Sequence, residues 1–360
     1  MRVLFRADAA VEIGTGHVVR CATLADALCQ QGADVAFACR TLPGDLLDWL
    51  RQKNFKVLVL ENRSLNPLEA VDTLISSKQI WGDEALVDWL VVDHYALDAA
   101  WERAMRDQCC RIMVIDDLAN RLHDCDLLLD QNQLEVEPSP YQRWVSPNCK
   151  QLLGPKFALL RPEFTELRQR GDVEGAGSKR FEFSKNLDVA SIFVFFGGSD
   201  PTGECFKALD ALETLLPGIR LQVDLVAGAG NPQFAALQTR CRNLSDVTLH
   251  RQVSNMADLM QQATLSIGAG GTTTWERFCL GLPSVVIAVA DNQVATSETL
   301  ARQGYHLYLG QSSSVTSTQL AEALQTMLAN PEQRQMLSQA GLALVDGQGT
   351  QRVLEAILKT

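Results

Sequence analysis

Short apolar runs alternate with helix-period segments along nearly the whole chain, and this rhythm restricts the fold more than any other feature. In the first half the runs are VLF (3–5), VAFAC (35–39), KVLVL (56–60), WLVVD (89–93) and CRIMVID (110–116). Between them lie segments of helical period at 17–31, 43–53, 66–78 and 97–108. Uninterrupted apolar strands are covered on both faces, and their alternation with helices implies βαβ units and a parallel sheet. RPEFTELRQR then reads as helix, and GDVEGAGSKRFEFSKN is polar without clear period. The rhythm restarts with strands SIFVFF (191–196), RLQVDLVAG (220–228), VTLH (247–250), LSIG (265–268), SVVIAV (284–289) and HLYLG (306–310). Helices are expected at 202–215, 232–242, 255–262, 271–281, 292–303 and 317–328, with two more over 331–358.

The reading is two doubly wound, Rossmann-like α/β domains, residues 1–165 and 191–360, joined by a linker or surface loop at 166–190. Folds of this kind allow the terminal helix to pack back across the first domain. Ligands of such sheets bind at the carboxyl ends of strands, beside helix N-termini, so the expected site is the cleft between the domains.

Composition excludes several function classes. Apolar residues make up 46% of the chain and charged residues 21%, with a net charge of −11. No block of Lys or Arg occurs, which argues against a nucleic-acid surface. Met1 leads into RVLF without a basic segment, a long apolar run or a cleavage site, and no run of 18 apolar residues exists. A cytoplasmic protein without stable membrane association is expected. The ten cysteines form no C-x-x-C and read as reduced, buried thiols. The five histidines show no metal-ligand spacing, so no metal or other cofactor is expected.

Three glycine-bearing turns follow strands. The first is Gly14-Thr15-Gly16-His17. Its glycines permit unusual backbone angles and close ligand approach. His17 opens the next helix, where the dipole favours a neutral imidazole able to act as general base. Asp8 is placed to orient or assist a bound group. The alternative is a structural loop with an incidental first-turn histidine. The second turn, Gly197-Gly198-Ser199-Asp200-Pro201-Thr202-Gly203, has the glycine spacing of a P-loop. Glu204-Cys205 stand where Lys and Ser or Thr are needed, which argues against an ATPase. The third, Gly268-Ala269-Gly270-Gly271-Thr272-Thr273-Thr274-Trp275-Glu276, offers amides and hydroxyls to a diphosphate and a carboxylate to a ribose. It is not a dinucleotide G-x-G-x-x-G fingerprint. Asp93-His94-Tyr95, Asp116-Asp117 and Asp291-Asn292-Gln293 also fall at strand ends, where aspartates can equally cap helices.

The second half, from RQVSNMADLM (251–260) through SIGAGGTTTWE to GLPSVVIAVADNQ, resembles the nucleotide-sugar half of GT-B proteins related to the MurG glycosyltransferase. That resemblance implies uracil at Arg251 to Met256, with Val253 and Met256 as contacts, the diphosphate at Gly270, Gly271, Thr272 and Thr273, and the ribose at Glu276. FRADAAVEIGTGHVVRCATLADAL is similar to the opening of the UDP-2,4-diacetamido-2,4,6-trideoxy-β-L-altropyranose hydrolases of pseudaminic acid biosynthesis. So are VVDHYALDAAWE, IDDLANRLHDCDLLLDQN, LLGPKFALLRPEF and FFGGSDPTG, and together the similar blocks span about residues 1–310. The resemblance implies metal-independent, inverting hydrolysis of a UDP-sugar at its anomeric carbon, with His17 as base. Gly14, Gly16, Asp93, Tyr95, Gly198, Asn292 and Gln293, along with Asp8, are the expected sugar side. The expected partner is the UDP-sugar alone, met by a monomer or weak homo-oligomer. A glycosyltransferase, a UDP-sugar 2-epimerase or a non-catalytic nucleotide-sugar sensor on the same fold are the rivals.

Overall fold

The computed structural model describes residues 1–60, 80–82, 86–132, 138–173, 189–215, 220–228 and 230–360. The chain forms two compact units, Met1–Leu160 with Gln348–Thr360, and Arg161–Gly347.

The first unit is built on a parallel sheet of order β3-β2-β1-β4-β5-β6-β7. Its strands are β1 (Arg2–Ala7), β2 (Asp34–Arg40), β3 (Lys56–Leu60), β4 (Val87–Asp93), β5 (Cys109–Ile115), β6 (Leu127–Asp130) and β7 (Lys150–Leu153). Helices α1 (Gly16–Gln30), α2 (Leu47–Gln52) and α3 (Ala99–Met105) connect them. Val3 and Phe5 face one apolar core and Leu4 the other, and all three are buried. Both faces are thus covered, which is why these strands read as continuous apolar runs.

The second unit opens with α4 (Pro162–Val173) and carries the parallel order β10-β9-β8-β11-β12-β13. Its strands are β8 (Ala190–Phe195), β9 (Leu221–Ala227), β10 (Val247–Arg251), β11 (Leu265–Ala269), β12 (Ser284–Ala288) and β13 (Leu307–Gln311). Helices α5 (Glu204–Leu215), α6 (Phe234–Cys241), α7 (Met256–Gln262), α8 (Thr273–Cys279), α9 (Val294–Arg302), α10 (Ser317–Ala329) and α11 (Pro331–Leu344) surround them. The last helix, α12 (Gly349–Lys359), belongs to the first unit. There Val353, Leu354 and Ile357 join the core that holds Val18 and Leu24. Thr350 Oγ1 donates to the Leu160 carbonyl at 2.9 Å. Gly349 is required at this seam, since a Cβ there would lie 2.2 Å from the Ala158 carbonyl oxygen.

Two strands escape the sequence reading. β6 (LLLD) and β7 (KQLL) are four residues each, too short for periodicity to separate them from loop. The expected helix at 97–108 is shorter, closing at Met105 into a 3-10 turn at Arg106–Gln108. Every cysteine is a free thiol, but Cys29 and Cys110 are exposed rather than buried. The helix expected at 66–78 lies outside the described residues, as does most of the polar stretch 172–189.

In each sheet the strand order reverses at one point, between β1 and β4 and between β8 and β11. Doubly wound sheets hold ligands at the carboxyl ends of such strands.

Candidate functional site

In the first unit the reversal point brings the end of β4 against the start of α1. Gly14 makes the bend with φ +77, a left-handed angle that costs a glycine nothing. Gly16 begins α1, and His17 follows half-buried. The imidazole Nδ1 lies 2.6 Å from Asp93 Oδ1. Arg20, one turn along α1, brackets the same carboxylate through Nε to Oδ2 and Nη2 to Oδ1, each at 2.6 Å. Arg20 Nη2 also approaches His17 Nδ1 at 3.2 Å. A carboxylate only accepts, so a 2.6 Å contact requires the proton on Nδ1. In the neutral imidazole Nε2 then carries the lone pair, and among the described residues nothing hydrogen-bonds to it. Tyr95 packs edge-on against the ring at 4.7 Å.

The electrostatics hold this arrangement. Burial pushes the Asp93 carboxyl up, but Arg20 and His17 outweigh it and keep the group well below the usual carboxylate range. Burial disfavours the Arg20 cation, but Asp93 and then Asp117 hold it protonated. Asp117 Oδ2 lies 3.6 Å from Arg20 Nη1 and hydrogen-bonds Tyr95. The result is a histidine with a fixed tautomer, backed by a buried anion and cation. A histidine held in this way has the geometry that general-base chemistry requires.

In the second unit β11 runs into Gly270-Gly271 and then α8. Gly268 clears the way for Arg277, whose Nη1 would lie 2.4 Å from a Cβ there. Arg277 is buried and donates through Nη2 to the Ala269 carbonyl at 2.8 Å and Thr274 Oγ1 at 2.9 Å, bracing the turn from behind. Burial lowers its guanidinium to about 10. Thr272 and Thr273 are half-buried, and their hydroxyls make no hydrogen bond among the described residues. Gln293 Oε1 accepts from Gly270 N at 3.2 Å and Val289 N at 3.1 Å, which turns its amide NH2 toward Gly271. Glu276 receives Arg161 Nη2 on Oε1 at 3.0 Å, leaving Oε2 without a partner among the described residues. A turn with free amides, two free hydroxyls and half a carboxylate suits a diphosphate followed by a vicinal diol.

Comparison with solved structures identifies the fold. The chain aligns over its full length with Acinetobacter baumannii MurG, covering 99% of that chain at TM-score 0.64 and 16% identity. The chain has the GT-B fold. Within this GT-B chain, residues 192–349 match the glycosyltransferase family 28 C-terminal domain. It is 28% identical to the spore coat polysaccharide biosynthesis protein SpsG of Bacillus subtilis over 356 residues, 98% of this chain and 96% of the relative. It is 26% identical to the UDP-2,4-diacetamido-2,4,6-trideoxy-beta-L-altropyranose hydrolase of Campylobacter jejuni over 308 residues, 85% of this chain and 98% of the relative. The resemblance read from the N-terminal blocks is therefore carried by a relative along most of the GT-B chain. Among the described residues no group of three or more His, Cys, Asp or Glu is placed to hold a metal ion, and no helix is long and apolar enough to cross a membrane.

The structure rearranges part of the expected site. Asp8, expected to orient or assist a bound group, is held by protein groups. It is buried against Arg6, at 2.7 and 2.9 Å, and takes Arg40 N–H at 2.8 Å and His94 Nε2 at 3.3 Å. Burial raises its carboxyl, but His94 and Arg6 hold it far below the usual range. Asp93, expected on the sugar, is 0% exposed in its side chain and stands behind His17 instead. Gly198 is packed backbone to backbone with Gly228, where a Cβ would lie 2.2 Å from the Gly198 carbonyl oxygen. Asp200 caps α5, accepting from Glu204 N and Cys205 N at 2.9 Å each. Val253 follows β10 half-buried, Met256 begins α7 buried, and Asn292 is exposed in the 3-10 turn after β12. Sequence reasoning misses Arg20 as a member of the site, and it offers Asp117 only as one of the strand-end aspartates. A signal for Arg20 exists, because i and i+3 share a helix face. Its partnership with Asp93, 73 residues away, leaves no such trace.

Proposed function

We propose that this chain hydrolyses a UDP-linked 2,4-diacetamido-2,4,6-trideoxy hexose at the anomeric carbon, with inversion. The observation that carries the reading is the open Nε2 of a histidine whose Nδ1 is locked on a buried carboxylate. In the proposed step His17 Nε2 takes a proton from water while the water oxygen bonds to C1. The bond from C1 to the diphosphate oxygen breaks, and its electron pair leaves with UDP. The products are free sugar, UDP and one proton. The second unit is assigned the nucleotide, with Gly270, Gly271, Thr272 and Thr273 at the diphosphate, Glu276 at the ribose and Val253 with Met256 at the uracil. Backbone and hydroxyl donors meet the charge that grows on the leaving diphosphate, so no metal and no cofactor is assigned. UDP is a good leaving group and needs little protonation, unlike an ordinary glycoside. The 26% identical relative named as such a hydrolase supports the choice of sugar class.

The match of residues 192–349 to a glycosyltransferase domain favours a second reading, transfer of the sugar to an acceptor. One experiment separates the two. Purified protein is incubated with the UDP-diacetamido-trideoxy sugar, without acceptor and with chelator present. Stoichiometric UDP and free sugar are expected, with the inverted anomer seen first by NMR. Turnover only on adding an acceptor would replace hydrolysis by transfer.

A further inference from the structure

Behind the His17 dyad, β5 and β6 end side by side, with Ile115 paired to Leu129. They deliver Asp116, Asp117 and Asp130 to one sheet edge. The hydroxyl of buried Tyr141 lies 3.0 Å from Asp116 Oδ2 and 3.1 Å from Asp130 Oδ2. A phenol owns one proton. Two such contacts therefore need a second proton, or lone pairs face each other across one of them. Tyr141 remains a phenol, because burial and then Asp130 and Asp116 push its ionisation up. Asp116 is complete as an anion. It pairs with Arg121 Nη1 at 2.6 Å and takes the N–H groups of Leu118 at 3.1 Å and Ala119 at 2.9 Å. Asp130 has one N–H donor, from Asn132 at 2.8 Å, and no cation among the described residues.

We propose that Asp130 is a neutral carboxylic acid in the native protein, donating its proton to Tyr141, and that it acts through this proton as a positioning residue for the His17–Asp93–Arg20 cluster. The donors then run in one direction, from Asp130 Oδ2–H to Tyr141 Oη and from Tyr141 Oη–H to Asp116 Oδ2. Asn132 ties Asp130 to the cluster, since its N–H rests on Asp130 while its Nδ2 donates to Asp117 Oδ2 at 2.9 Å. Asp117 in turn faces Arg20 Nη1 at 3.6 Å. The groups facing Asp130 among the described residues are Asp116 and Asp117 from the end of β5, Tyr141, and Asn132. Arg20 and Tyr95 reach it only through Asp117. Ionising Asp130 sets a third negative charge against Asp116 and Asp117, whose cations among the described residues, Arg121 and Arg20, are already committed. Asp117 and its hold on Arg20 give way first. Burial, and next the charge of Asp117, raise the Asp130 carboxyl to about 7, in keeping with the geometry.

The test needs no substrate, so it stands or falls apart from the hydrolysis reading. Infrared difference spectra of the full-length protein between pH 6 and pH 9 should show a protonated-carboxyl C=O band that is lost at high pH. The band should be absent in Asp130→Asn, whose amide keeps a donor to Tyr141. It should remain but shift in Tyr141→Phe, which covers the case that Asp130→Asn does not fold. The Arg20 Nε–H resonance in 15N NMR should move with the same midpoint in the wild type. It should stop titrating in Asp130→Asn, and in Tyr141→Phe it should follow the band's altered midpoint. No band in the wild type, or a persisting band in folded Asp130→Asn, overturns the neutral acid. An Arg20 resonance that ignores the titration overturns the positioning role.

Discussion

Replacing Asp93 by Asn tests the dyad most directly, because it preserves shape while removing one charge. The carboxylate now takes His17 Nδ1 and two Arg20 nitrogens at 2.6 Å each. An asparagine has one acceptor oxygen and one NH2. With its oxygen toward Arg20, its NH2 must donate to His17 Nδ1, which drives the imidazole proton to Nε2. The base then carries a proton where its lone pair is needed. The analogous aspartate-to-asparagine change in the serine-protease triad lowers kcat about 10⁴-fold through the wrong tautomer, and a loss of roughly 10³–10⁴ is expected here. Stability falls as well. Arg20 is buried and loses its main anion, a change of about 3–5 kcal/mol for a broken buried pair. At roughly 2–4 °C per kcal/mol for a unit of this size, the first unit should melt about 6–20 °C lower. UDP release under saturating substrate reports turnover, calorimetry reports UDP affinity, and a thermal scan reports stability. UDP affinity should be unchanged. Turnover within tenfold of wild type in the folded variant would refute the dyad as the source of the base.

His17→Ala should abolish most turnover while leaving UDP affinity intact, and unchanged turnover would remove His17 from the base role. Arg161→Met should weaken UDP binding about tenfold or more, the scale of a hydrogen bond to a charged group. The effect should be smaller for 2′-deoxy-UDP, because Arg161 holds Glu276 at 3.0 Å; equal weakening of both nucleotides counts against this role. Gly228→Ala should lower the second unit's stability by about 1–3 kcal/mol, read by denaturant unfolding, as its Cβ meets Gly198 backbone at 2.2 Å. His306 is buried with Nε2 on the Ser297 carbonyl at 3.0 Å, and burial lowers it from 6.5 to about 4. Its contribution is full above pH 6.5 and is lost as pH falls through about 4, a total of about 3 kcal/mol. His306→Gln should flatten that acid limb, and an identical limb would exclude His306 as its cause.

The strand runs, the two-fold restart of the rhythm and the glycine turns were legible because they are local. A strand buried on both faces must be apolar along its length, and a turn that admits a ligand must shed its Cβ atoms. Gly14, Gly268 and Gly270 announce themselves in this way. The four-residue strands β6 and β7 did not, since their order comes from neighbours in the sheet rather than from their own composition. The same boundary runs through the site. His17 is visible in the sequence as a histidine at a glycine turn and helix start. Which carboxylate stands behind it is not, for Asp8 and Asp93 both follow strands and both are aspartates. Pairing β1 with β4 decides the matter by placing Asp93 beside α1, while Arg6 and Arg40 claim Asp8. By itself the sequence determined the layers, the turns and the chemical types on offer, because these depend on residues near one another in the chain. Only the tertiary structure decided which charge meets which, because hydrogen bonds act over about 3 Å between groups that the chain holds dozens of residues apart.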